Sequence, residues 1–223
     1  MDPQWSPERK RNYQKHALRE CQIHRSITHP RVVHFVDVFV LNEMAFCTVL
    51  ELCEGDLDTY LKVHKTMPEK DAKVIVAQIA SALHCLATQD EPIIHFDLKP
   101  GNILFQRGEV RITDFGLAKI MDNKENRDAT ELTSFGSGTY WYLPPECLSG
   151  PKELISTKVD VWSLGVICFQ LLFGSRPFGN GMSQQEILQS NVINSNTQLT
   201  FSNVKGPVSE EAKVSLLSPP AFC

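Results

Sequence analysis

The sequence predicts an α+β fold in which a small amount of antiparallel sheet accompanies a larger helical part. Two pairs of short apolar runs, each pair separated by turn residues, predict two hairpins. Segments with helical spacing of apolar residues stand before, between and after these hairpins. The chain has 223 residues, 42% hydrophobic and 22% charged, which is enough for one large domain or two small lobes around a cleft.

The beginning of the chain predicts a helix followed by a hairpin. Residues 13–26 carry apolar side chains at helical spacing, and a His-Pro pair ends that pattern. Residues 32–41 and 45–52 are rich in Val and Phe, which predicts two strands. The Asn42-Glu43 pair between them predicts the turn.

The rest of the chain predicts a helix, a second hairpin, a loop and a final helix. Pro68 opens the helix because its fixed φ suits the first turn. Residues 103–105 and 110–112 are short apolar runs on either side of a turn. Residues 122–137 are polar and lack periodicity, which predicts a loop. Residues 159–173 are apolar on nearly all sides, which predicts an enclosed helix.

Composition limits the environment and the partners. The formal net charge is −4, so we expect no direct binding of nucleic acid or of a membrane surface. Seven scattered cysteines without a CxxC pair indicate reduced thiols rather than a disulfide framework or a zinc site. The longest apolar run is too short to span a bilayer. We therefore expect a soluble protein, and the sequence leaves its oligomeric state open.

Four polar residues near the middle of the chain form a set suited to phosphoryl transfer. That reaction requires a carboxylate to orient the attacking hydroxyl, a cation near the migrating group and ligands for a metal ion. Asp97, Lys99, Asn102 and Asp114 supply these groups. Carboxylate and amide oxygens are hard ligands suited to Mg²⁺, and Asn102 and Asp114 flank the second predicted hairpin.

These residues lie in motifs that resemble those of the protein kinases. Residues 95–102 read His-Phe-Asp-Leu-Lys-Pro-Gly-Asn and resemble the catalytic-loop pattern H-R-D-x-x-x-x-N, and residues 114–116 read Asp-Phe-Gly. Residues 144–146, Pro-Pro-Glu, stand where the family has Ala-Pro-Glu. The resemblance implies a bilobal kinase-like fold, mostly the helical C-lobe with helix C and a partial N-lobe sheet.

The resemblance also implies roles for the polar residues, with ATP and Mg²⁺ as cofactors. Asp97 accepts or orients the proton of the acceptor hydroxyl, and Lys99 lies against the γ-phosphate. Asn102 completes the catalytic set and holds Mg²⁺ together with Asp114. The Leu-Lys-Pro-x-Asn form of this loop is the serine/threonine version, so the resemblance implies a protein substrate phosphorylated on Ser or Thr.

Five further residues match nucleotide-binding positions of the family. Glu20 corresponds to the helix C glutamate that pairs with an ATP-contacting lysine. Leu50 falls at the gatekeeper position, and Glu51 and Cys53 offer hinge backbone groups to adenine. Leu104 forms the floor of the adenine pocket. The Cys53 thiol is either reactive at an open cleft or, as we expect, buried and inert.

The sequence is identified more narrowly with the tousled-like kinases. Residues 95–102, residues 138–146 (Gly-Thr-Tyr-Trp-Tyr-Leu-Pro-Pro-Glu) and residues 183–189 (Ser-Gln-Gln-Glu-Ile-Leu-Gln) carry this likeness. It implies nuclear localisation, a role in chromatin assembly, and a protein substrate of the histone-chaperone type.

The chain also departs from the family pattern. No glycine precedes Glu20, so the glycine-rich phosphate loop and the ATP-contacting lysine are expected to be missing, and Glu20 is expected to lack its ion-pair partner. Phe96 replaces the usual arginine. We expect a kinase domain that is incomplete at both ends, with a partial N-lobe over residues 1–53, a C-lobe over 54–213 and a divergent tail over 214–223.

Three readings therefore compete. The first is an active serine/threonine kinase. The second is a catalytically dead, kinase-like binding module, and the third is a fragment that does not fold. Asp97 and Asp114 could also be ordinary loop carboxylates, although their place in two motifs favours the catalytic reading. His95 is expected to brace the catalytic loop from the core rather than to act as a base.

Overall fold

A computed structural model describes most of the chain. The described residues are 5–41, 45–121, 130–132, 136–150, 153–193, 199–201 and 208–217. Within them six helices accompany nine strands that form small antiparallel sheets, and the predicted α+β fold class is confirmed.

The first helix, α1, is longer than predicted. It spans Pro7–Ser26 rather than 13–26. Two features set its start. Proline occupies the first helical position, and the Ser6 side chain accepts a hydrogen bond from Arg9 N. Its buried residues, Cys21, Ile23 and His24, all lie in the last turns. The N-terminal half of α1 therefore projects away from the core.

The predicted first hairpin is present. Strands β1 (Phe35–Leu41) and β2 (Ala45–Leu50) pair antiparallel, with a register irregularity between Phe35 and Asp37. The second strand ends at Leu50 instead of 52 because the chain turns into a connection toward the helical part. The predicted turn pair Asn42-Glu43 lies outside the described residues. Among the described residues these two strands pair only with each other.

A short strand and a helix follow that the sequence pattern did not predict. Strand β3 (Gly55–Asp56) leads directly into α2 (Leu57–His64). The Asp56 side chain caps the helix by accepting a hydrogen bond from Thr59 N. Helix α2 has only eight residues, which is too short for periodicity to stand out, but the cap itself is a recognisable signal.

The central helix and the second hairpin form as predicted. Helix α3 spans Glu69–Ala87 after Pro68. Strands β5 (Ile103–Gln106) and β6 (Glu109–Ile112) pair antiparallel, and β3 joins them in a three-stranded sheet of order β3-β5-β6. A 3-10 turn at Pro100–Asn102 immediately precedes β5.

Two small ladders complete the sheet structure. Strand β4 (Ile93–Ile94) pairs with β7 (Lys119–Ile120), and β8 (Thr130–Glu131) pairs with β9 (Leu154–Ile155). The loop predicted over residues 122–137 therefore contains a two-residue strand, because cross-strand pairing with a distant segment supplies order that the local sequence does not. Residues 122–129 and 133–135 of that loop lie outside the described residues.

The remaining helices lie in the last third of the chain. The predicted enclosed helix is α4 (Lys158–Phe173), which ends at Gly174 with φ of 73°. Helix α5 (Gln184–Ser190) starts with a capping box formed by Ser183 and Glu186. Helix α6 (Glu210–Leu217) runs through the expected boundary at residue 213. The domain division itself stays a prediction, and residues 218–223 of the expected tail lie outside the described residues.

The core is built mainly between α3 and α4. Ile79, Leu86 and Ile167 are fully buried there, and Leu216 of α6 packs into the same cluster. A second, smaller cluster surrounds Phe96. Within the described part of the chain, six cysteines are free thiols. No helix in that part is long and apolar enough to cross a membrane.

Substitution of Leu86 by alanine should lower the free energy of unfolding by about 2–5 kcal/mol, because the Leu86 side chain is fully buried in α3 and its loss leaves a cavity. Urea denaturation of the 223-residue chain measures this. Leu188→Ala on α5 is the matched control, since Leu188 is 42% exposed, and it should cost less than about 1 kcal/mol. Equal losses in the two variants would contradict this core assignment.

Candidate active site

The centre of the site is a loop that a buried carboxylate holds in place. Asp160, in the first turn of α4, accepts hydrogen bonds from His95 N at 2.7 Å and from Phe96 N at 2.9 Å. Phe96 has φ of 68°, a left-handed conformation that is costly for a bulky side chain. The two hydrogen bonds to Asp160 hold the backbone of Phe96 in this conformation. They thereby fix the direction in which the chain continues to Asp97.

The His95 ring braces the same loop against the second hairpin. His95 is fully buried, its Nε2 lies 2.9 Å from Thr113 O, and its ring is 5.0 Å from that of Phe115. Thr113 N in turn donates to Asn102 O at 3.0 Å. The structure thus has His95 as the packed brace that the sequence led us to expect.

The register of the hairpin brings the ends of its two strands together. Ile103 at the start of β5 pairs with Ile112 at the end of β6. Asn102 and Thr113, the next residues outward, are hydrogen-bonded to each other. Asp114 follows directly, so the two predicted metal ligands, which are twelve positions apart in sequence, stand at the same end of one hairpin.

Asp97 is the hub of a compact polar network. Its Oδ2 accepts a hydrogen bond from Lys99 Nζ at 2.5 Å, and its Oδ1 accepts one from the Thr139 hydroxyl at 2.7 Å. Lys99 Nζ also donates to Thr139 Oγ1 at 3.2 Å. Asn102 Nδ2 donates to Asp97 O at 2.9 Å. The three predicted catalytic residues, Asp97, Lys99 and Asn102, are therefore in direct contact.

The orientation of the Asn102 amide follows from these bonds. Because Nδ2 faces Asp97, Oδ1 points the other way, and it accepts no hydrogen bond from any residue that the structure describes. An amide oxygen with no protein donor is a suitable ligand for a hard cation. Asp114 also has a positive φ of 68° and accepts a bond from Gly116 N through only one carboxylate oxygen.

Glu20 of α1 reaches the same place. A Cβ built on Gly116 would lie 3.2 Å from Asp114 Oδ1 and 3.5 Å from Glu20 Oε2, so both carboxylates flank this glycine. Burial, and secondly the negative charge of Asp114, raises the pKa of Glu20. No basic side chain among the described residues forms an ion pair with Glu20. Because Glu20 and Asp114 lie close together with no basic side chain of the described residues paired to Glu20, this place favours the binding of a cation.

The residues predicted at the adenine site lie along the connection after β2. Leu50 ends β2, and Glu51 N donates to His34 O at 3.0 Å. The Glu51 N–H is therefore already bonded within the protein, whereas the Cys53 N–H makes no hydrogen bond to any described residue. The backbone groups of the two predicted hinge residues that remain able to bond adenine are therefore the N–H of Cys53 and the carbonyl of Glu51.

An ion pair ties this connection to the second hairpin. Arg111 Nη1 contacts both carboxylate oxygens of Glu51, at 2.5 and 2.6 Å. Arg111 pairs in register with Leu104, the predicted floor residue, which is partly buried in β5. Burial raises the pKa of the Cys53 thiol, with the charge of Glu51 as a secondary cause. Cys53 is partly buried rather than buried as expected, and its raised pKa favours the inert, protonated thiol.

Phe96, which replaces the usual arginine, has a packing role. It is 1% exposed within the smaller cluster, and Lys119 Nζ lies 4.7 Å from the centre of its ring. Burial lowers the pKa of Lys119, and the nearby charge of Arg19 adds to this. Where the family has an arginine, this chain therefore has the aromatic ring of Phe96, and Lys119 contacts the face of that ring.

Two residues of the site were not assigned to it from the sequence, Thr139 and Asp160. Thr139 contacts both Asp97 and Lys99 across about forty residues of chain, and no local pattern reveals that contact. The role of Asp160 is easier to infer from the sequence than that of Thr139. An acid in the first turn of an otherwise apolar, enclosed helix must have hydrogen-bond partners, and these can be sought in a functional loop.

The geometry defines a protein kinase, and comparison with known proteins gives the family. Residues 5–218 match the family model described as the protein kinase domain. The chain therefore belongs to the protein kinase domain family, as its motifs predicted. As a family, protein kinases use ATP and Mg²⁺ and act on protein substrates.

Several serine/threonine-protein kinases are similar to the chain. It is 56% identical over 221 residues to mouse tousled-like 1, covering 96% of the chain and 29% of that protein. It is 48% identical over 216 residues to TOUSLED of Arabidopsis thaliana, covering 96% and 31%. The chain spans about a third or less of the length of these relatives. The predicted likeness to tousled-like serine/threonine kinases is confirmed.

His24 should make the stability of this site depend on pH. Its ring is 4.8 Å from that of Phe115, and its Nε2 lies 2.7 Å from Val33 O. Burial lowers the pKa of His24 below its ordinary value of 6.5. The folded chain thus keeps this imidazole neutral, so its contribution to stability is complete above the unfolded pKa and is lost as the pH falls below it.

We expect the free energy of unfolding to decrease between about pH 7 and pH 5.5, and the decrease to be smaller in His24→Gln. The control is His16→Gln, because His16 is exposed on α1, and its pH profile should match that of the parent chain. Urea titrations at several pH values provide the measurement. Identical profiles for all three proteins would show that His24 does not carry this dependence.

Proposed function

We propose that this chain transfers the γ-phosphoryl group of ATP to a serine or threonine hydroxyl of a protein. The observation that carries the proposal is the Asp97 carboxylate held between Lys99 Nζ and the Thr139 hydroxyl. A carboxylate fixed by two side chains has one orientation, which is what an acceptor hydroxyl needs for attack in line with the leaving group.

In the proposed reaction the acceptor oxygen forms a bond to the γ-phosphorus, and the bond from that phosphorus to the bridging oxygen of ADP breaks. The hydroxyl proton passes to a carboxylate oxygen of Asp97. Lys99, with its Nζ beside the same carboxylate, offers positive charge to the phosphoryl oxygens during transfer. The Thr139 hydroxyl keeps Asp97 aimed at the acceptor.

Asn102 Oδ1 and the free carboxylate oxygen of Asp114 are the groups that would hold Mg²⁺. Their chemistry fits, since both are hard oxygen ligands at the same end of one hairpin. Bound Mg²⁺ neutralises charge on the phosphate oxygens and orients the chain of phosphates. Glu20 adds negative charge on the α1 side of the site.

The resemblance to tousled-like kinases supports two narrower proposals. The substrate is a protein of the histone-chaperone type in chromatin assembly, and the site of action is the nucleus. Fluorescence microscopy of the tagged chain tests the second proposal, and phosphate incorporation into a purified histone chaperone tests the first.

One observation favours a second candidate, a kinase-like module that binds partners without catalysis. Glu20 has no cationic partner among the described residues, although a charge-assisted contact to phosphate depends on such a pair in the family. ATP with Mg²⁺ should raise the melting temperature of an enzyme by mass action and leave that of the module unchanged.

Asp97→Asn should reduce phosphate transfer by at least about 100-fold, because the amide cannot accept the proton. Transfer of radiolabelled phosphate from ATP to dephosphorylated casein measures this. Asp71→Asn on the exposed side of α3 is the control and should keep the parent rate. A folded parent chain with no transfer would favour the binding module, and full activity in Asp97→Asn would remove Asp97 from its role.

Thr139→Val should lower kcat/KM by about 10-fold or more, because one hydroxyl bonds to the charged groups of both Asp97 and Lys99. Thr139→Ser keeps the hydroxyl and should stay within a few-fold of the parent. Steady-state kinetics with the same casein substrate compares them, with thermal unfolding as a check on folding. Equal losses in the serine and valine variants would mean that the methyl group, and not the hydroxyl, matters.

A further inference from the structure

The first thirteen residues of α1 have a charge opposite to that of the whole chain. Residues 7–19 contain five basic residues and one acidic residue, a formal charge of +4 in a chain whose net charge is −4. The acidic residue, Glu8, lies in the first turn, where it complements the positive end of the helix. The positive charge is therefore concentrated on the body of the helix.

Three of these basic residues recur every fourth position. Arg11, Lys15 and Arg19 are all exposed, and residues four apart lie on one helix face. We call these three residues the basic stripe. The buried residues of α1, Cys21, Ile23 and His24, all come after Arg19, in the last turns of the helix. The basic stripe consequently faces solvent along about 12 Å of helix.

The basic stripe has no partner among the described residues. None of its three residues forms an ion pair or a side-chain hydrogen bond with any described residue. Like charges four apart weaken a helix, so the arrangement carries a cost that no contact within the described part of the chain offsets. Lys62 and Lys73, two exposed lysines on other helices, are by contrast paired within a helix turn, with Asp58 and Glu69 respectively.

An apolar side chain accompanies the charges. Leu18 is 51% exposed and lies three positions after Lys15, on the same helix face. At the inner end, Arg19 is close enough to Lys119 that its charge helps to lower the pKa of that buried lysine. The surface therefore combines a continuous positive field with contact area for side chains.

We propose that the basic stripe, with Leu18, is a docking surface for an acidic segment of a partner protein. An extended peptide covers about 12 Å with three or four residues, so a run of Asp or Glu can pair with all three cations. A nucleic acid fits less well, because its phosphates continue beyond the stripe and would meet a chain of net charge −4. The proposal does not depend on phosphoryl transfer by this chain.

The test uses the 223-residue chain and a fluorescein-labelled peptide of eight glutamates with a central leucine, with binding read by fluorescence anisotropy at low salt. The triple variant Arg11→Gln, Lys15→Gln, Arg19→Gln should bind at least about 10-fold more weakly than the parent. Raising the salt should weaken binding by the parent and have little effect on the variant.

A charge-matched control separates the stripe from net charge alone. The control variant Lys70→Gln, Arg107→Gln, Lys158→Gln removes three exposed cations from elsewhere on the surface and should bind within about 2-fold of the parent. Circular dichroism melts should be alike for all three proteins. Equal binding by the stripe variant and the parent, or no binding by the parent, would overturn the proposal. Tighter, stripe-dependent binding of a labelled DNA duplex would also overturn it.

Discussion

The site depends on one buried carboxylate. Asp160 opens the enclosed helix α4 and is itself almost fully buried, and its two oxygens accept the N–H groups of His95 and Phe96. An unpaired charge at that depth would be costly. The pairing satisfies the carboxylate and at the same time holds Phe96 in a left-handed conformation that Phe96 would not adopt by itself. A helix of the core thereby determines the geometry of the catalytic loop.

The remaining polar groups follow from that anchor and from one hairpin. The loop leads into a 3-10 turn and then into β5, so Asn102 stands at the start of a strand whose partner ends beside Thr113. Strand register then sets Asp114 close to Asn102 regardless of the loop between the strands. Thr139 lies in a separate segment before α4, and its hydrogen bond to Asp97 links that segment to the catalytic loop. Rigid elements thus surround a site made of loop residues.

The charges are divided between two faces of α1. On the inner face Glu20 approaches Asp114 and Gly116, where negative charge from two acids favours a cation. On the outer face the basic stripe has no acidic partner among the described residues. One helix therefore presents a negative edge to the site and a positive edge to solvent.

The sequence by itself determined the two hairpins, the helices α3 and α4, and the residues Asp97, Lys99, Asn102 and Asp114. Apolar periodicity and the spacing of polar groups are local properties of the sequence, so they can be recognised without the tertiary structure. Only the tertiary structure decided that Thr139 meets Asp97, that Asp160 holds the backbone at Phe96, and that the N–H of Glu51 is already bonded. Those contacts join residues 17 to 65 positions apart, and only the packing of α4 and the pairing of strands brings such residues together.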